Sequence, residues 1–352
     1  MTDQRNPSFQ QEVNRCLFLD SEHQLRLVER EIPKPGPGEV LVRIEANGIC
    51  GSDIHFFKDG RLGNFIVDRP YIPGHEASGT VAALGEGTTD HRVGDRIVIE
   101  PGIPCGHCAW CRNGRYNLCP DVVFLSAPPV NGTFCDYLTV RADAVLQMPE
   151  GLSFRDAALV EPAAVAVHAV KRARFAAGAS ALVVGAGPIG LLVIQAFRAA
   201  GGGPVTVVDL QEKRVLLAER LGANRLVDEG NPMFDVVFDT SGSAKACAGL
   251  FRSASPGGCV VQVGWPAGNL VTVNMADFIE KELDYVAVNR YANAFPAAMQ
   301  WIADGRVRVE PLITHEFSLD QAAEAFAFAA GHPDEVVKVV VLNRGLSHKA
   351  SS

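Results

Sequence analysis

The distribution of apolar positions divides the chain into three regions with different patterns. In the first, from Cys16 to about Gln147, short apolar runs such as 40–44 and 97–99 are separated by turns rich in glycine and proline. Short strands with frequent turn signals are typical of antiparallel, barrel-like β-structure. We therefore predict a β-rich domain over residues 1–160.

The second region alternates apolar runs with segments of helical periodicity. Apolar runs at 181–184, 205–208 and 234–238 are each followed by a longer segment with turn residues at its ends. Runs of this length, separated by helices, indicate a parallel sheet that is covered on both faces. We predict a doubly wound α/β domain over residues 161–290.

The last region, residues 291–352, is too short for a third domain. It contains two helical segments, near 296–303 and 321–330, and a closing apolar run at 336–342. We expect this region to return to the core of the first domain.

Composition and charge narrow the class of protein. The 352 residues are 47% hydrophobic and 20% charged, which allows a sizeable core and argues against disorder. The formal net charge of −8 argues against a nucleic-acid or anionic-membrane partner. Residues 1–7 lack the apolar core of a signal peptide, and glycines interrupt the apolar stretch 179–197. We expect a cytoplasmic protein without a membrane span.

Four of the nine cysteines form the most specific motif in the chain. Cys105, Cys108, Cys111 and Cys119 lie within fifteen residues, and an odd total without a secretory signal argues against a disulfide framework. Four thiolates satisfy a tetrahedral zinc ion completely, so the motif predicts a structural zinc site. An iron–sulfur cluster and four unliganded thiols are the alternatives.

A second group of ligand types lies upstream in the same region. Cys50, His75 and Glu76 offer sulfur, nitrogen and oxygen, a set that suits zinc. Three protein ligands leave one coordination position open, as in catalytic zinc sites. Taken singly, each residue also has a structural interpretation: a small core cysteine, a hydrogen-bonded histidine and a surface carboxylate.

A glycine-rich turn follows the first strand of the predicted parallel sheet. Gly185, Gly187 and Gly190 match a dinucleotide-binding turn that opens a helix, whose first N–H groups would meet the pyrophosphate. Asp209 ends the next strand, where a carboxylate accepts hydrogen bonds from the ribose hydroxyls and repels a 2′-phosphate. The pattern favours NAD over NADP, although Lys213 and Arg214 keep NADP as an alternative.

Together these motifs resemble the zinc-dependent medium-chain dehydrogenases over nearly the whole chain. The resemblance rests on residues 48–55, 74–76, 93–96, 105–119, 161–162, 185–190 and 290–291. Glu161, where alcohol dehydrogenases of this superfamily use a cysteine, and residues 114–120 resemble the sorbitol (polyol) dehydrogenase branch. The resemblance implies a GroES-like catalytic domain joined to a Rossmann domain that binds NAD.

The resemblance also implies roles for individual residues. Cys50, His75 and Glu76 would hold a catalytic zinc, with Glu161 at its edge, directly or through water. Ser52 and His55 match positions that relay the alcohol proton, and a purely structural role is the alternative for both. The expected cofactor contacts are Gly185, Gly187, Pro188, Ile189, Gly190, Asp209, Arg214, Val263, Gly264, Val288 and Arg290. The expected substrate contacts are Phe56, Phe124, Glu161, Arg290 and Tyr291.

These features predict zinc- and NAD-dependent, reversible oxidation of a secondary hydroxyl of a polyol to the ketone. Phe56 and Ala127 stand where polyol dehydrogenases commonly have hydroxyl-bearing residues, so a cyclitol, a small diol or L-threonine is an alternative substrate. A non-catalytic NAD- and zinc-binding protein and a zinc–thiolate redox sensor are alternatives of a different class. The family also implies a homotetramer or a homodimer.

Overall fold

The computed structural model describes residues 13–226 and 232–343. Numbered along the chain, the strands in these residues are β1 (Asn14–Leu19), β2 (Leu25–Arg30), β3 (Glu39–Gly48), β4 (Arg61–Leu62), β5 (Phe65–Ile66), β6 (Glu76–Leu84), β7 (Arg96–Ile99), β8 (Gly102–Ile103), β9 (Val123–Phe124), β10 (Tyr137–Arg141), β11 (Val145–Gln147), β12 (Ala181–Val184), β13 (Val205–Val208), β14 (Asn224–Arg225), β15 (Phe234–Asp239), β16 (Ala254–Gln262), β17 (Asp284–Ala287), β18 (Ile313–Ser318) and β19 (Lys338–Leu342). The α-helices are α1 (Gly51–Asp59), α2 (Ala109–Arg112), α3 (Phe154–Ala157), α4 (Val160–Ala173), α5 (Pro188–Ala199), α6 (Glu212–Arg220), α7 (Ala244–Cys247), α8 (Leu250–Ser253), α9 (Met275–Glu280), α10 (Phe295–Ala303) and α11 (Ala322–Gly331).

A seven-stranded sheet forms the framework of the first domain. Its order is β11-β7-β6-β3-β19-β18, and β10 also pairs with β3. Strand β3 is central because its apolar side chains, Val40, Val42 and Ile44, point at alternate positions into a buried cluster. The predicted barrel-like β-domain is confirmed.

The C-terminal strand completes this first sheet. Val340 of β19 pairs antiparallel with Gly48 of β3, and β18 pairs with β19 in parallel. The end of the chain therefore lies in the sheet of the first domain. This return places Lys338, the first residue of β19, in the interior near the N-terminal end of β6.

The second sheet is wholly parallel and has the order β14-β13-β12-β15-β16-β17. Counted along the chain within this sheet, the order is 3-2-1-4-5-6, the Rossmann arrangement. The order reverses between β12 and β15, so a crevice opens there at the carboxyl ends of the strands. The predicted doubly wound sheet is confirmed.

Helix α10 forms where the sequence predicted a helix, but the chain has not yet returned to the first sheet at this point. Its buried residues Phe295, Ala298 and Ile302 recur at helical spacing, and the helix packs against α4. The chain therefore returns to the first sheet only at Ile313, not directly after residue 290. The predicted boundary at 290 was set at the end of the parallel strands. The chain continues past it through α10, because the apolar face of this helix packs against α4. The other domain limits stay predictions.

The most apolar stretch of the chain is divided between a strand and a helix. Residues 179–197 contain β12, the glycine turn and most of α5. Within the described ranges, none of the helices combines the length and apolar character that a membrane crossing requires.

Candidate active site

A thiol, an imidazole and a carboxylate meet where β3 and β6 lie side by side. Gly48, the last residue of β3, pairs with Glu76, the first residue of β6. Cys50 follows two residues after Gly48 and caps the start of α1, while His75 directly precedes β6. The ligand atoms of Cys50, His75 and Glu76 all lie within 4.8 Å of one another. The structure thus brings together the three predicted ligands of the catalytic metal.

A buried aspartate that the sequence analysis missed organises this triad. Asp53 is fully buried and accepts hydrogen bonds from the backbone N–H of Cys50 at 3.0 Å and from the Ser126 hydroxyl at 3.0 Å. Its Oδ1 lies 3.8 Å from Nδ1 of His75. Burial alone would lower the pKa of His75, but the charges of Asp53 and Cys50 outweigh it and raise this pKa. Asp53 therefore anchors the loop that carries Cys50 and places its charge beside the imidazole of His75.

A buried lysine, also missed, pairs with the third ligand. Lys338 Nζ lies 2.8 Å from both carboxylate oxygens of Glu76 and donates to the Ile49 carbonyl at 3.0 Å. Burial would lower the pKa of Lys338, but the charges of Glu76 and Cys50 raise it. A signal was present in the sequence, since Lys338 is the one charge in an otherwise apolar strand.

The donor set of this triad fits zinc. Nδ1 of His75 is buried and has no hydrogen-bond partner among the described residues, so the imidazole is unsatisfied by protein alone. Sulfur, nitrogen and oxygen ligands on three residues match the donors of open, catalytic zinc sites. Cys50, His75 and Glu76 are the residues that would hold the ion.

Glu161 lies next to the triad of Cys50, His75 and Glu76 but does not belong to it. It is buried in the first turn of α4, and its carboxylate does not join the group whose ligand atoms lie within 4.8 Å. Burial raises the pKa of Glu161 to about 7; Glu76 adds to this rise, and His75 opposes it. Ligation of the metal by Glu161, directly or through water, stays a prediction.

Aromatic and cationic side chains continue from the triad toward the parallel sheet. The ring of Phe124 lies 5.5 Å from that of His75, and the Arg290 guanidinium carbon lies 4.7 Å from the centre of the Phe124 ring. Tyr291 is buried, and its pKa is raised by burial and by the charge of Glu161. Phe124, Glu161, Arg290 and Tyr291 are therefore brought together around the triad, as the substrate prediction requires.

Phe56 does not join this group. Its ring is buried and meets the ring of Tyr71 edge-on at 6.2 Å, in a small cluster with Leu19 and Val67. Asp53 and Phe56 are the two buried residues of α1, three positions apart on its inward face. The predicted substrate contact of Phe56 is corrected: the residue serves the core.

The two predicted relay residues occupy different environments. Ser52 lies in the first turn of α1 and is half-buried, next to Cys50. His55 is exposed, and its Nδ1 lies 3.0 Å from Asp59, one helical turn further along. The proton-relay role of Ser52 and His55 stays a prediction.

The four remaining predicted zinc ligands converge in a separate lobe. The sulfur atoms of Cys105, Cys108, Cys111 and Cys119 lie within 4.8 Å of one another. Cys111 Sγ is 3.4 Å from Cys108 Sγ and 4.0 Å from Cys105 Sγ. Thiolates around a tetrahedral zinc at ~2.3 Å are separated by about 3.8 Å, so the lobe fits a structural zinc ion.

The glycine turn has the geometry of a dinucleotide site. Gly185 has a φ of 98°, and a Cβ there would lie 2.9 Å from the Ser241 backbone nitrogen. A Cβ on Gly190 would lie 1.9 Å from the Gly185 carbonyl oxygen, so glycine permits the close packing of α5 on β12. A Cβ on Gly187, by contrast, would meet only Arg214 Nη1 at 4.0 Å. Open space therefore faces the turn where a pyrophosphate would approach.

The remaining predicted cofactor contacts lie at the carboxyl ends of the parallel strands. Asp209 follows β13 and accepts a hydrogen bond from the backbone N–H of Ala186, within the glycine turn, at 2.6 Å. Val263 and Gly264 follow β16, and Val288 follows β17. Pro188 and Ile189 begin α5, while Arg214 donates to the Pro333 carbonyl at 2.6 Å. These residues lie at the same end of the sheet, and Arg290 follows the end of β17 by three residues.

Comparison with known proteins agrees with this arrangement. Residues 36–150 match the alcohol dehydrogenase GroES-like domain, and residues 188–304 match the zinc-binding dehydrogenase family. Sorbitol dehydrogenase of Bacillus subtilis is 36% identical over 340 residues, covering 93% of this chain and 96% of that protein. Sorbitol dehydrogenase of Gallus gallus is 39% identical over 330 residues, covering 89% and 92%. An Escherichia coli alcohol dehydrogenase solved with NADH has a TM-score of 0.87, with 28% identity, and the match covers 94% of this chain and 100% of that chain.

The fold, the open triad and these matches define a zinc-dependent medium-chain alcohol dehydrogenase, an oxidoreductase that works with a nicotinamide cofactor. Within that superfamily, the chain belongs to the sorbitol dehydrogenase-like branch. The resemblance deduced from the sequence motifs is confirmed.

Proposed function

We propose that this enzyme oxidises a secondary hydroxyl of a polyol to the ketone, reversibly, with NAD as hydride acceptor and zinc at the Cys50 triad. The observation that carries the proposal is the convergence of the ligand atoms of Cys50, His75 and Glu76 within 4.8 Å. Sorbitol dehydrogenase relatives at 36% and 39% identity support a polyol as the substrate class.

The chain's own residues divide the work of this reaction. Cys50, His75 and Glu76 hold the ion, which supplies Lewis acidity when bound. Asp53 places its buried carboxylate 3.8 Å from Nδ1 of His75, so its negative charge acts directly on the imidazole. Phe124 lies beneath Arg290, and its ring is 5.5 Å from that of His75, so it covers one side of the imidazole.

Polar groups on the other side of the triad suit a substrate with several hydroxyls. Glu161 and Tyr291 are buried, and the Tyr291 hydroxyl has no hydrogen-bond partner among the described side chains. A buried hydroxyl without a partner is costly unless a ligand satisfies it. Together with Arg290 they offer donors and acceptors that a polyol can meet and a simple alcohol cannot.

NAD is the proposed nicotinamide cofactor because of Asp209. Asp209 directly follows β13, and its carboxylate lies beside the glycine turn, where it would accept hydrogen bonds from the adenosine ribose. A 2′-phosphate at the same position would be repelled by this charge. Arg214 does not offset the carboxylate in full, since its guanidinium is engaged by carbonyls of residues 333 and 336.

The proposed assembly is a homodimer or homotetramer. Strand β17 is an edge of the parallel sheet, and its Tyr285 is exposed. Leu270 and Ile279 nearby in sequence are 82% and 67% exposed. Large exposed apolar side chains beside a free strand edge support association with a second copy.

The function is tested by initial rates of NAD reduction with sorbitol, xylitol, galactitol, a cyclitol, a small diol and L-threonine. The proposal expects the highest kcat/KM with an open-chain polyol and a clear preference for NAD over NADP. Saturation with L-threonine alone, or no NAD reduction with any alcohol, contradicts it. The His75→Ala variant is the matched control for a contaminating dehydrogenase.

A further inference from the structure

The cysteine lobe is bonded directly to the segment that presents Arg290 and Tyr291. Asn117 donates from Nδ2 to the Asn289 carbonyl at 2.9 Å. At the other end of the segment, the backbone N–H of Asn293 donates to the Tyr116 hydroxyl oxygen at 2.8 Å. The two substrate residues thus lie between two attachment points on the lobe.

Further hydrogen bonds make these attachments specific. Asn293 also donates from Nδ2 to the Gly114 carbonyl at 2.8 Å. The Tyr116 hydroxyl in turn donates to Glu100 Oε1 at 2.7 Å. Because its proton points toward Glu100, the hydroxyl oxygen is available to accept from the Asn293 N–H. Asn117 is buried, so loss of its partner would leave an unsatisfied amide.

The 289–293 segment needs external support for its shape. Arg290 has a φ of 56° and Asn293 a φ of 52°, both in the left-handed region that non-glycine residues rarely adopt. Such conformations persist where the surrounding structure holds them. The lobe supplies this hold at Asn289 and Asn293.

The lobe is itself held by its cysteines. Tyr116 and Asn117 lie in a short 3₁₀ turn, Tyr116–Leu118, between Cys111 and Cys119. Because a metal ion on the four sulfurs would fix both ends of this turn, the position of the Tyr116 and Asn117 side chains would depend on the lobe's metal site.

We propose that Tyr116 and Asn117 are positioning residues for substrate: they clamp the 289–293 segment, so that Arg290 rests on Phe124 and Tyr291 stands beside Glu161. This inference rests on the proposed function and extends it, because it gives the cysteine lobe a part in polyol recognition. Substrate affinity would then depend on a metal site that contacts no substrate.

The test compares Tyr116→Phe and Asn117→Asp with wild type in the zinc-loaded enzyme. Tyr116→Phe removes the acceptor of the Asn293 N–H, and Asn117→Asp replaces the amide donor by an oxygen facing the Asn289 carbonyl. Loss of one neutral hydrogen bond corresponds to about a fivefold change. We expect KM for the polyol to rise about fivefold or more in each variant, while NADH affinity changes less than twofold and zinc content is unchanged.

Hydrogen exchange of the segment containing residues 288–294 gives a readout that needs no activity. The proposal expects faster exchange there in both variants and unchanged exchange in α5. Tyr285→Phe is the matched control, since this hydroxyl contacts Gln262 Oε1 at 3.1 Å rather than the lobe. This control is expected to keep the wild-type polyol KM and exchange.

Unchanged polyol KM in both variants, or unchanged exchange over the segment, overturns the clamp. An equal rise in the polyol and NADH constants also overturns it, because a general domain distortion would then explain the effect. If the wild-type enzyme is inactive on every polyol, the proposed function is overturned, and with it the role of the clamp in substrate binding. In that case hydrogen exchange of residues 288–294 still tests whether Tyr116 and Asn117 hold the segment.

Discussion

Lys338 Nζ lies 2.8 Å from each carboxylate oxygen of Glu76, although the two residues are 262 positions apart in the chain. Both side chains are buried, at 3% and 0% exposure. A buried carboxylate needs its lone pairs satisfied, and the lysine does so at Glu76, the proposed metal ligand. This pair ties the closing strand β19 to the metal site.

Removing the lysine is expected to destabilise the protein. In Lys338→Met, the Glu76 carboxylate loses its buried partner, which costs about 3 kcal/mol of unfolding free energy. Urea unfolding measures the change. Lys338→Arg, which keeps a cation, is the matched control and is expected to lose less. Equal stability of Lys338→Met and wild type would show that the ion pair contributes nothing net.

Cofactor choice is expected to change in Asp209→Arg. The substitution removes the carboxylate that repels a 2′-phosphate and introduces a cation that attracts it. The ratio of kcat/KM for NADP to that for NAD should rise by about tenfold or more. Asp235→Asn is the control, since this carboxylate bonds Ser180 just before β12, at the opposite end of that strand from the glycine turn. An unchanged ratio in Asp209→Arg would refute the assignment.

The cysteine lobe is expected to lose its metal in Cys108→Ser. The measured zinc content should fall from two ions per chain to one, since each of the two ligand groups would hold one ion. Because the lobe is pinned by that ion, Tm should fall by at least about 5 °C. Cys247→Ala, a buried cysteine outside both groups, is the control for zinc content. Retention of two zinc ions by Cys108→Ser would contradict the structural site.

His168 gives the protein a predictable sensitivity to acid. Burial and the nearby charges of Arg172 and Lys171 lower its pKa to about 4, from an ordinary value near 6.5. The unfolded chain therefore binds this proton first, so the stability associated with neutral His168 is complete above about pH 6.5. That stability is lost progressively as the pH falls from about 6.5 toward about 4.

The measurement for His168 is the unfolding free energy at several pH values between about 4 and 7. In wild type, the Ala292 N–H donates to His168 Nδ1 at 3.4 Å. His168→Gln keeps an acceptor for this N–H, but the glutamine does not titrate. We expect a shallower pH dependence in His168→Gln than in wild type, and no change in the exposed-residue control His332→Gln. Parallel curves for wild type and His168→Gln would contradict the lowered pKa.

Local motifs account for the parts of the site that the sequence could predict. The four cysteines, the His75-Glu76 pair and the glycine turn are short patterns whose spacing itself restricts the geometry. The parallel sheet followed from alternating apolar runs and helices. These predictions needed no knowledge of which distant segments meet.

Long-range partners account for what the sequence analysis missed. Lys338 reaches Glu76 only because β19 pairs with β3, and Asp53 meets Ser126 across 73 positions. Asp53 did leave a local signal, an acid three residues after the helix-capping Cys50. Phe56 was misassigned because family position suggested a substrate contact, whereas its place on the inward face of α1 commits it to the core.

The central claim, an open zinc site at Cys50, His75 and Glu76 that performs the reaction, is tested most directly by His75→Ala. Zinc content, polyol-dependent NAD reduction and NADH affinity are measured on the same preparation, with exposed His332→Ala as control. We predict the loss of one zinc ion per chain and of turnover, with NADH affinity kept by the glycine turn. An unchanged zinc content with full turnover would contradict the account.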